Sequence, residues 1–176
     1  MDLFETIYTR RTIRTFTAKK IPKSDLEKLV DAGRLAPSAT NRQMWDFVVI
    51  TEKKILDDIL PHFHAGRKYG THEDGKFDGI SAIIAVIMDG SNEYWKEDGA
   101  AATQNMLLAA HALGLGACWI GSYGSIYEEK AKDILGVPKG ERLLSVITVG
   151  YPAGVPTGSS RKALKEITFS NKYGKR

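Results

Sequence analysis

The chain has 176 residues, 43% hydrophobic and 26% charged, with 25 Lys and Arg against 21 Asp and Glu for a net charge of +4. That make-up excludes disorder as the main state, because apolar content is high and net charge low. A single cysteine, Cys118, excludes an internal disulfide framework and any multi-cysteine zinc or iron–sulfur site within one chain.

The charge is unevenly spread. Residues 1–23 carry +4, residues 24–156 carry −5 and residues 157–176 carry +5. A duplex-binding face would spread Lys and Arg along one element. Two short clusters far apart in sequence either converge on one small anion or are unrelated solvated runs. Met1–Glu5 is acidic and lacks an apolar signal core, and the longest apolar stretch, 106–121, is interrupted by His111 and too short to span a bilayer. The expectation is a single cytoplasmic domain over residues 1–176, with no membrane or nucleic-acid partner.

Taken in chain order, Leu3, Phe4, Ile7 and Tyr8 form one apolar helical face. Ser24-Asp25-Leu26-Glu27 reads as a capping box with Ser24 as N-cap, and Pro37 ends that second helix at Ala36. A polar loop, 38–43, precedes a strand over Trp45–Ile50. A helix over Glu52–Leu60 is stopped by Pro61. Residues 62–79 hold three His and four Gly and read as a mobile loop. Ile80–Met88 is apolar except Ser81, a strand buried on both faces. Asn92–Leu113 is a long helix, apolar all round in its second half and closed by Gly114. Ala117–Ile120 is a short strand. Ser125-Ile126-Tyr127-Glu128 reads as a second capping box, opening a helix that ends at Gly136. Leu143–Tyr151 is a β-branched strand, and the basic tail 157–176 shows no apolar face of its own.

Stand-alone chemical motifs are weak. Gly70–Phe77 nearly spells a phosphate-binding loop, but Phe77 replaces the needed hydroxyl and no strand precedes it. His62, His64 and His72 with Glu73 and Asp74 match no standard metal spacing. His111 reads as a satisfied core histidine and Cys118 as a small buried residue. The adjacent pairs Asp57-Asp58, Glu73-Asp74, Glu97-Asp98 and Glu128-Glu129 read as solvated faces. No side chain stands out as acid, base or nucleophile, so an enzyme of this sequence needs a cofactor for its chemistry.

Four segments in order, spanning nearly the whole chain, resemble the FMN-dependent nitroreductase family. They are 10–16 (RRTIRTF), 36–45 (APSATNRQMW), 98–121 (DGA through QNMLLAAHALGLG to CWIG) and 135–152 (LGVP through VGYP). The resemblance implies an α+β fold with a central, mostly antiparallel sheet wrapped by helices. It also implies an intertwined homodimer whose tail, 157–176, embraces the partner. Arg10, Arg11, Thr12 and Arg14 are thereby implied to hold the FMN phosphate, ribityl chain and pyrimidine edge, a task that suits forked guanidinium donors. Pro37, Ser38, Ala39, Asn41 and Gln43 match the loop that reaches the flavin from the partner subunit, although Met44 stands where the family usually has Pro. Ile120 and Gly121 match the segment whose backbone N–H points at flavin N5. Arg161 and Lys162 match a C-terminal basic pair that completes the phosphate site. The activity implied is hydride passage from NAD(P)H, a transient donor, through flavin N5 to a nitroaromatic, quinone or similar electron-poor acceptor. Alternatives are another reaction of the same flavin fold (ene reduction, reductive dehalogenation, flavin reduction) or a non-catalytic protein binding an anionic ligand or RNA. The strands are apolar rather than studded with exposed aromatics, which disfavours RNA.

Overall fold

The computed structural model describes residues 1–64, 79–91 and 93–175. Four strands form one antiparallel sheet in the order β1-β2-β4-β3: β1 (Trp45–Ile50), β2 (Ala82–Asp89), β3 (Gly116–Gly121) and β4 (Glu141–Gly150). Among the described residues there are six helices: α1 (Leu3–Thr9), α2 (Lys23–Arg34), α3 (Lys53–His64), α4 (Trp95–Ala112), α5 (Glu128–Leu135) and, in the exposed tail, α6 (Leu164–Ile167). The expected α+β architecture is therefore observed.

Strand alternation explains the two cores. Ala82, Ile84, Val86 and Met88 of β2 face one side and pack with Leu26 and Leu29 of α2 and Met106, Leu107 and Ala110 of α4. Ile83, Ala85 and Ile87 face the other side and pack with Leu56, Ile59 and Phe63 of α3 and Ala131 of α5. Covering both faces is why the expected run of apolar residues in β2 shows no polar alternation.

Several boundaries differ from the sequence reading. Helix α2 starts at Lys23 with Pro22 as N-cap, and the Pro22 carbonyl accepts from the Asp25 and Leu26 N–H groups at 3.0 and 3.2 Å. Ser24 therefore lies inside the first turn and its capping box does not form. Pro61 does not stop α3, which continues to His64; one helical hydrogen bond is forgone while Phe63 is buried against the second core. Residues 62–64 are thus helical, whereas 65–78 of the expected loop lie outside the described residues, including the Gly70–Phe77 motif and His72, Glu73 and Asp74. Asn92 also lies outside them, and α4 begins at Trp95. A short helix, α6, occupies a tail that carried no helical pattern.

A bulge interrupts β4. Val86 pairs with Ser145 and Ile87 with Leu143, leaving Leu144 without a partner on β2. Its carbonyl accepts instead from the N–H groups of Ser122 (3.1 Å) and Tyr123 (3.3 Å), so the bulge anchors the turn that follows β3.

Candidate active site

Residues 10–17 run along the outer edge of β3 and the end of β4. The Ile13 N–H donates to the Ala117 carbonyl (3.0 Å), the Thr17 N–H to Tyr151 (2.8 Å) and the Ala153 N–H to Thr15 (3.1 Å). Two glycines make this seat possible. A Cβ on Gly116 would meet the Ile13 side chain at 2.7 Å, and one on Gly150 would meet Phe16 at 2.7 Å. Ile13 and Phe16 are buried in these slots, which leaves Arg10, Arg11, Thr12 and Arg14 partly buried along the rim.

The basic ends meet. Burial, and then the charges of Arg161 and Arg11, hold the Arg10 guanidinium below its ordinary pKa. A Cβ on Gly158 would lie 2.7 Å from Arg11 Nη2, so the tail passes directly against that side chain. Arg11 donates to the Tyr8 and Arg10 carbonyls, and Arg161 to those of Ser159 and Ser160. Among the described residues no carboxylate forms an ion pair with Arg10, Arg11, Arg14, Arg161 or Lys162. Three close cations without a counter-charge make a ready seat for a small anion such as a phosphate. Lys162 is exposed and enters no hydrogen bond among the described residues.

Among the described residues the outer edge of β3 beyond Ala117 is unpaired. Because the Ala117 carbonyl faces outward to Ile13, alternation turns the amides of Trp119 and Gly121 outward too, and that of Ile120 toward β4. Ile120 is buried, while Gly121 is exposed and a Cβ there would touch nothing within 4 Å. The next side chain, Ser122, is fully buried with an unpartnered hydroxyl among the described residues. Ala117 and Gly121 lie four residues apart, about 13 Å along a strand.

Loop 37–43 is built from backbone strain and side-chain anchors. A short 3₁₀ turn spans Ala39–Asn41, and Thr40 (φ 52°), Asn41 (57°) and Gln43 (52°) are all left-handed. Such residues persist where the surroundings over-determine them. Here the Ser38 hydroxyl accepts from the Gln43 N–H (3.0 Å), and the Gln43 side-chain amide donates to Asn41. The Ala39 N–H donates to the Asp98 carboxylate at 3.0 Å. Pro37, Asn41 and Gln43 are exposed, and Ser38 and Ala39 half-buried. A hollow of about 350 Å³ is lined by Ala39, Thr40, Arg42, Ser91, Glu93 and Tyr94. A larger groove of about 730 Å³ lies between α2 and the β1 end of the sheet, on Ile21, Leu26, Val30 and Val49, and contains none of the expected site residues.

Sequence reasoning missed three groups. Asp98 is buried rather than solvated and holds the loop; its place in the first turn of a helix followed by Gly99-Ala100-Ala101-Ala102 was the available signal. Glu128 is likewise buried, and it does not cap α5. Its carboxylate takes Arg142 Nε (2.9 Å) and Nη2 (2.8 Å) and the N–H groups of Gly124 (2.8 Å) and Leu143 (3.3 Å). Burial raises its pKa, but those donors outweigh burial and leave it below the ordinary carboxylate value. His111 is not a core residue: it is half-buried at the end of α4, with Nε2 2.8 Å from the Thr9 hydroxyl. Burial, then Arg10 and Arg11, hold its pKa below 6.5, against a smaller opposing effect of Glu5. Asp57 and Asp58 are exposed and Cys118 is buried, as read from the sequence. Among the described residues no three His, Cys, Asp or Glu side chains are grouped to hold a metal, and no helix is long and apolar enough to cross a membrane.

Comparison with known proteins follows the same lines. Residues 7–151 match the model of the nitroreductase family. An Archaeoglobus fulgidus protein with the provisional name NADH dehydrogenase/NAD(P)H nitroreductase is 36% identical over 157 residues, 86% of each chain. A Bacillus subtilis protein named FMN reductase (NADPH) is 26% identical over 190 residues, covering 98% of this chain and 74% of that one. The solved structure of an FMN-dependent nitroreductase from Clostridium difficile R20291 superposes with a TM-score of 0.82 at 27% identity, covering 97% of this chain and 100% of the other.

Proposed function

The chain belongs to the nitroreductase family, and on that premise we propose that it is an FMN-dependent oxidoreductase that takes electrons from a reduced nicotinamide and delivers them to a nitroaromatic, quinone or similar electron-poor acceptor. The observation that carries this reading is the uncompensated Arg10–Arg11–Arg161 cluster at one end of a sheet edge whose other end presents the open Gly121 amide. Arg10 and Arg11 lie just before Ile13, which is bonded to Ala117, and Gly121 lies four residues further along β3, so an anion and a planar ring of one ligand would lie along the same edge. The residues present therefore fit FMN.

In this reading Arg10, Arg11 and Arg161 hold the phosphate, with Lys162 at the rim. Thr12 and Arg14 face the ribityl chain and the pyrimidine edge, where a guanidinium favours the negative charge of the reduced ring. The Gly121 N–H serves the ring edge carrying N5, and the missing side chain permits close approach. Pro37, Ser38, Ala39, Asn41 and Gln43 close over the ring from a second copy of the chain. When bound, FMN supplies the two-electron chemistry; the protein contributes binding, orientation and electrostatics.

A homodimer is part of the proposal. In one chain Leu3, Phe4 and Tyr8 of α1 are more than 60% exposed, and Leu164, Ile167 and Tyr173 of the tail are also bare. Apolar surface of this kind marks an interface, and the tail has little else to pack on.

The first test is colour. The purified protein is expected to be yellow or to take up added FMN, and a colourless protein that binds none refutes the reading. Sedimentation at micromolar concentration is expected to show a dimer; a monomer refutes the shared site. A stopped-flow screen of flavin reduction by NADH and NADPH, and of reoxidation by nitroaromatics and quinones, identifies donor and acceptor.

A further inference from the structure

Resting on the FMN reading above, we infer that Glu128 is a positioning residue: it locks the turn after β3 onto the bulge of β4 and so sets the Gly121 amide that serves the flavin. Gly121 is the last residue of β3 and pairs with Ser145. The next two amides, Ser122 and Tyr123, both lean on the single carbonyl of Leu144, the bulged residue. Two shared bonds to one acceptor hold a turn weakly. Glu128 supplies the rest, because its carboxylate grips Gly124 on the turn side and Leu143 on the bulge side. It thus bridges the two strands of backbone that flank Gly121 and Ser145.

The donor set selects for a carboxylate. Oε1 accepts from Arg142 Nε and the Leu143 N–H, and Oε2 from Arg142 Nη2 and the Gly124 N–H. A glutamine would turn its NH₂ toward one of these donors and lose that side of the bridge. The same grip orients Arg142, whose guanidinium carbon lies 4.6 Å from the Tyr123 ring and 5.6 Å from Trp95. Tyr123 in turn meets Trp95 edge-on at 4.7 Å. The turn is therefore held from its backbone by Glu128 and from its one large side chain by Arg142. A solvent-exposed ion pair would need none of this; Glu128 is 3% exposed.

Glu128→Gln tests the inference with FMN binding as the internal reference. FMN added to ¹⁵N-labelled wild-type protein is expected to move the Gly121 amide resonance. Glu128→Gln is expected to bind FMN within about threefold of wild type, since the arginine grip is untouched. In the variant, however, the Gly121 and Gly124 amides exchange faster with solvent, the FMN-induced shift of Gly121 changes, and the flavin midpoint potential moves. Flavin reduction by the nicotinamide donor slows roughly ten- to a hundredfold, the penalty of a small misplacement. Should Glu128→Gln not fold, Arg142→Lys, which keeps the charge but breaks the fork, is read in the same way. An FMN-loaded variant with wild-type Gly121 resonance and potential overturns the inference and leaves the FMN reading standing. Wild-type protein that binds no FMN overturns both.

Discussion

Two arginine sites make opposite use of the same side chain. Arg142 sits in a fully answered environment: Glu128 takes both of its forked donors, and two aromatic rings lie within 6 Å. Arg10, Arg11 and Arg161 crowd together with only main-chain carbonyls as acceptors and no carboxylate among the described residues. Compensated charge fixes structure, because removing either partner strands the other in a buried place. Uncompensated charge weakens the empty protein and waits for an anion. The contrast separates the residues expected to matter for folding from those expected to matter for ligand.

The largest expected effect lies on the compensated side. Arg142→Ala leaves the buried Glu128 carboxylate without its partner and should cost about 3 kcal/mol of stability, the low end for such pairs because Arg142 is itself partly open. Thermal unfolding should fall by roughly 6–12 °C for a chain of this size. An unchanged melting temperature would erase the distinction.

Arg10→Ala should do the reverse. FMN affinity is expected to drop roughly ten- to a hundredfold, the value of one charge-assisted hydrogen bond, while the FMN-free protein melts at or slightly above the wild-type temperature because like-charge crowding is relieved. Fluorescence titration of FMN and paired melts read both quantities. Arg14→Ala should also weaken FMN retention, and unchanged affinity would remove its assigned role.

Gly116→Ala sharpens the comparison by moving the arginines without touching their charge. The new methyl meets Ile13 and pushes the 10–17 segment off β3, at about 1–3 kcal/mol of stability. FMN affinity should fall with it, and retention of full affinity would show that the grip does not depend on that seat.

The smallest effect is a pH dependence at His111. Its folded pKa is lowered below 6.5 by burial and then by Arg10 and Arg11, so above pH 6.5 both folded and unfolded chains carry it neutral. As pH falls below 6.5 the unfolded chain takes up the proton first, and stability declines through that window. Urea midpoints at pH 7.5 and 5.5 should show this decline in the FMN-free wild type and a shallower one in His111→Gln. Identical declines would show that neither burial nor the arginines shift His111.

The strands and long helices were legible because burial writes itself into periodicity. Trp45–Ile50 was read to the residue, and the unbroken apolar run in β2 announced a strand covered on both faces. The convergence of the basic ends was legible in part, since +4 and +5 flanking −5 left one small anion among few uses for them. What stayed hidden depends on partners distant in sequence. Glu128 three residues after Ser125 fits a capping box as well as any pair, yet Arg142, fourteen positions on, outbids the helix end with two forked donors. Ser24 is the local exception: the Pro22 carbonyl takes the Asp25 and Leu26 N–H groups and starts the helix before it. Asp98 reads as a solvated acid because its partner, the Ala39 amide, is 59 residues away.

Helix α4 is, in the end, a ruler. Asp98 near its first turn fastens the Ala39 loop, and His111 in its last turn fastens α1 beside the arginines. Thirteen residues of helix set those two fastenings about 20 Å apart. One inserted residue would lengthen the span by only about 1.5 Å but swing one end about 100° around the axis relative to the other. The length of α4 is therefore far less tolerant of single insertions or deletions than of substitution along its exposed face, and change in its length should come, if at all, in whole turns.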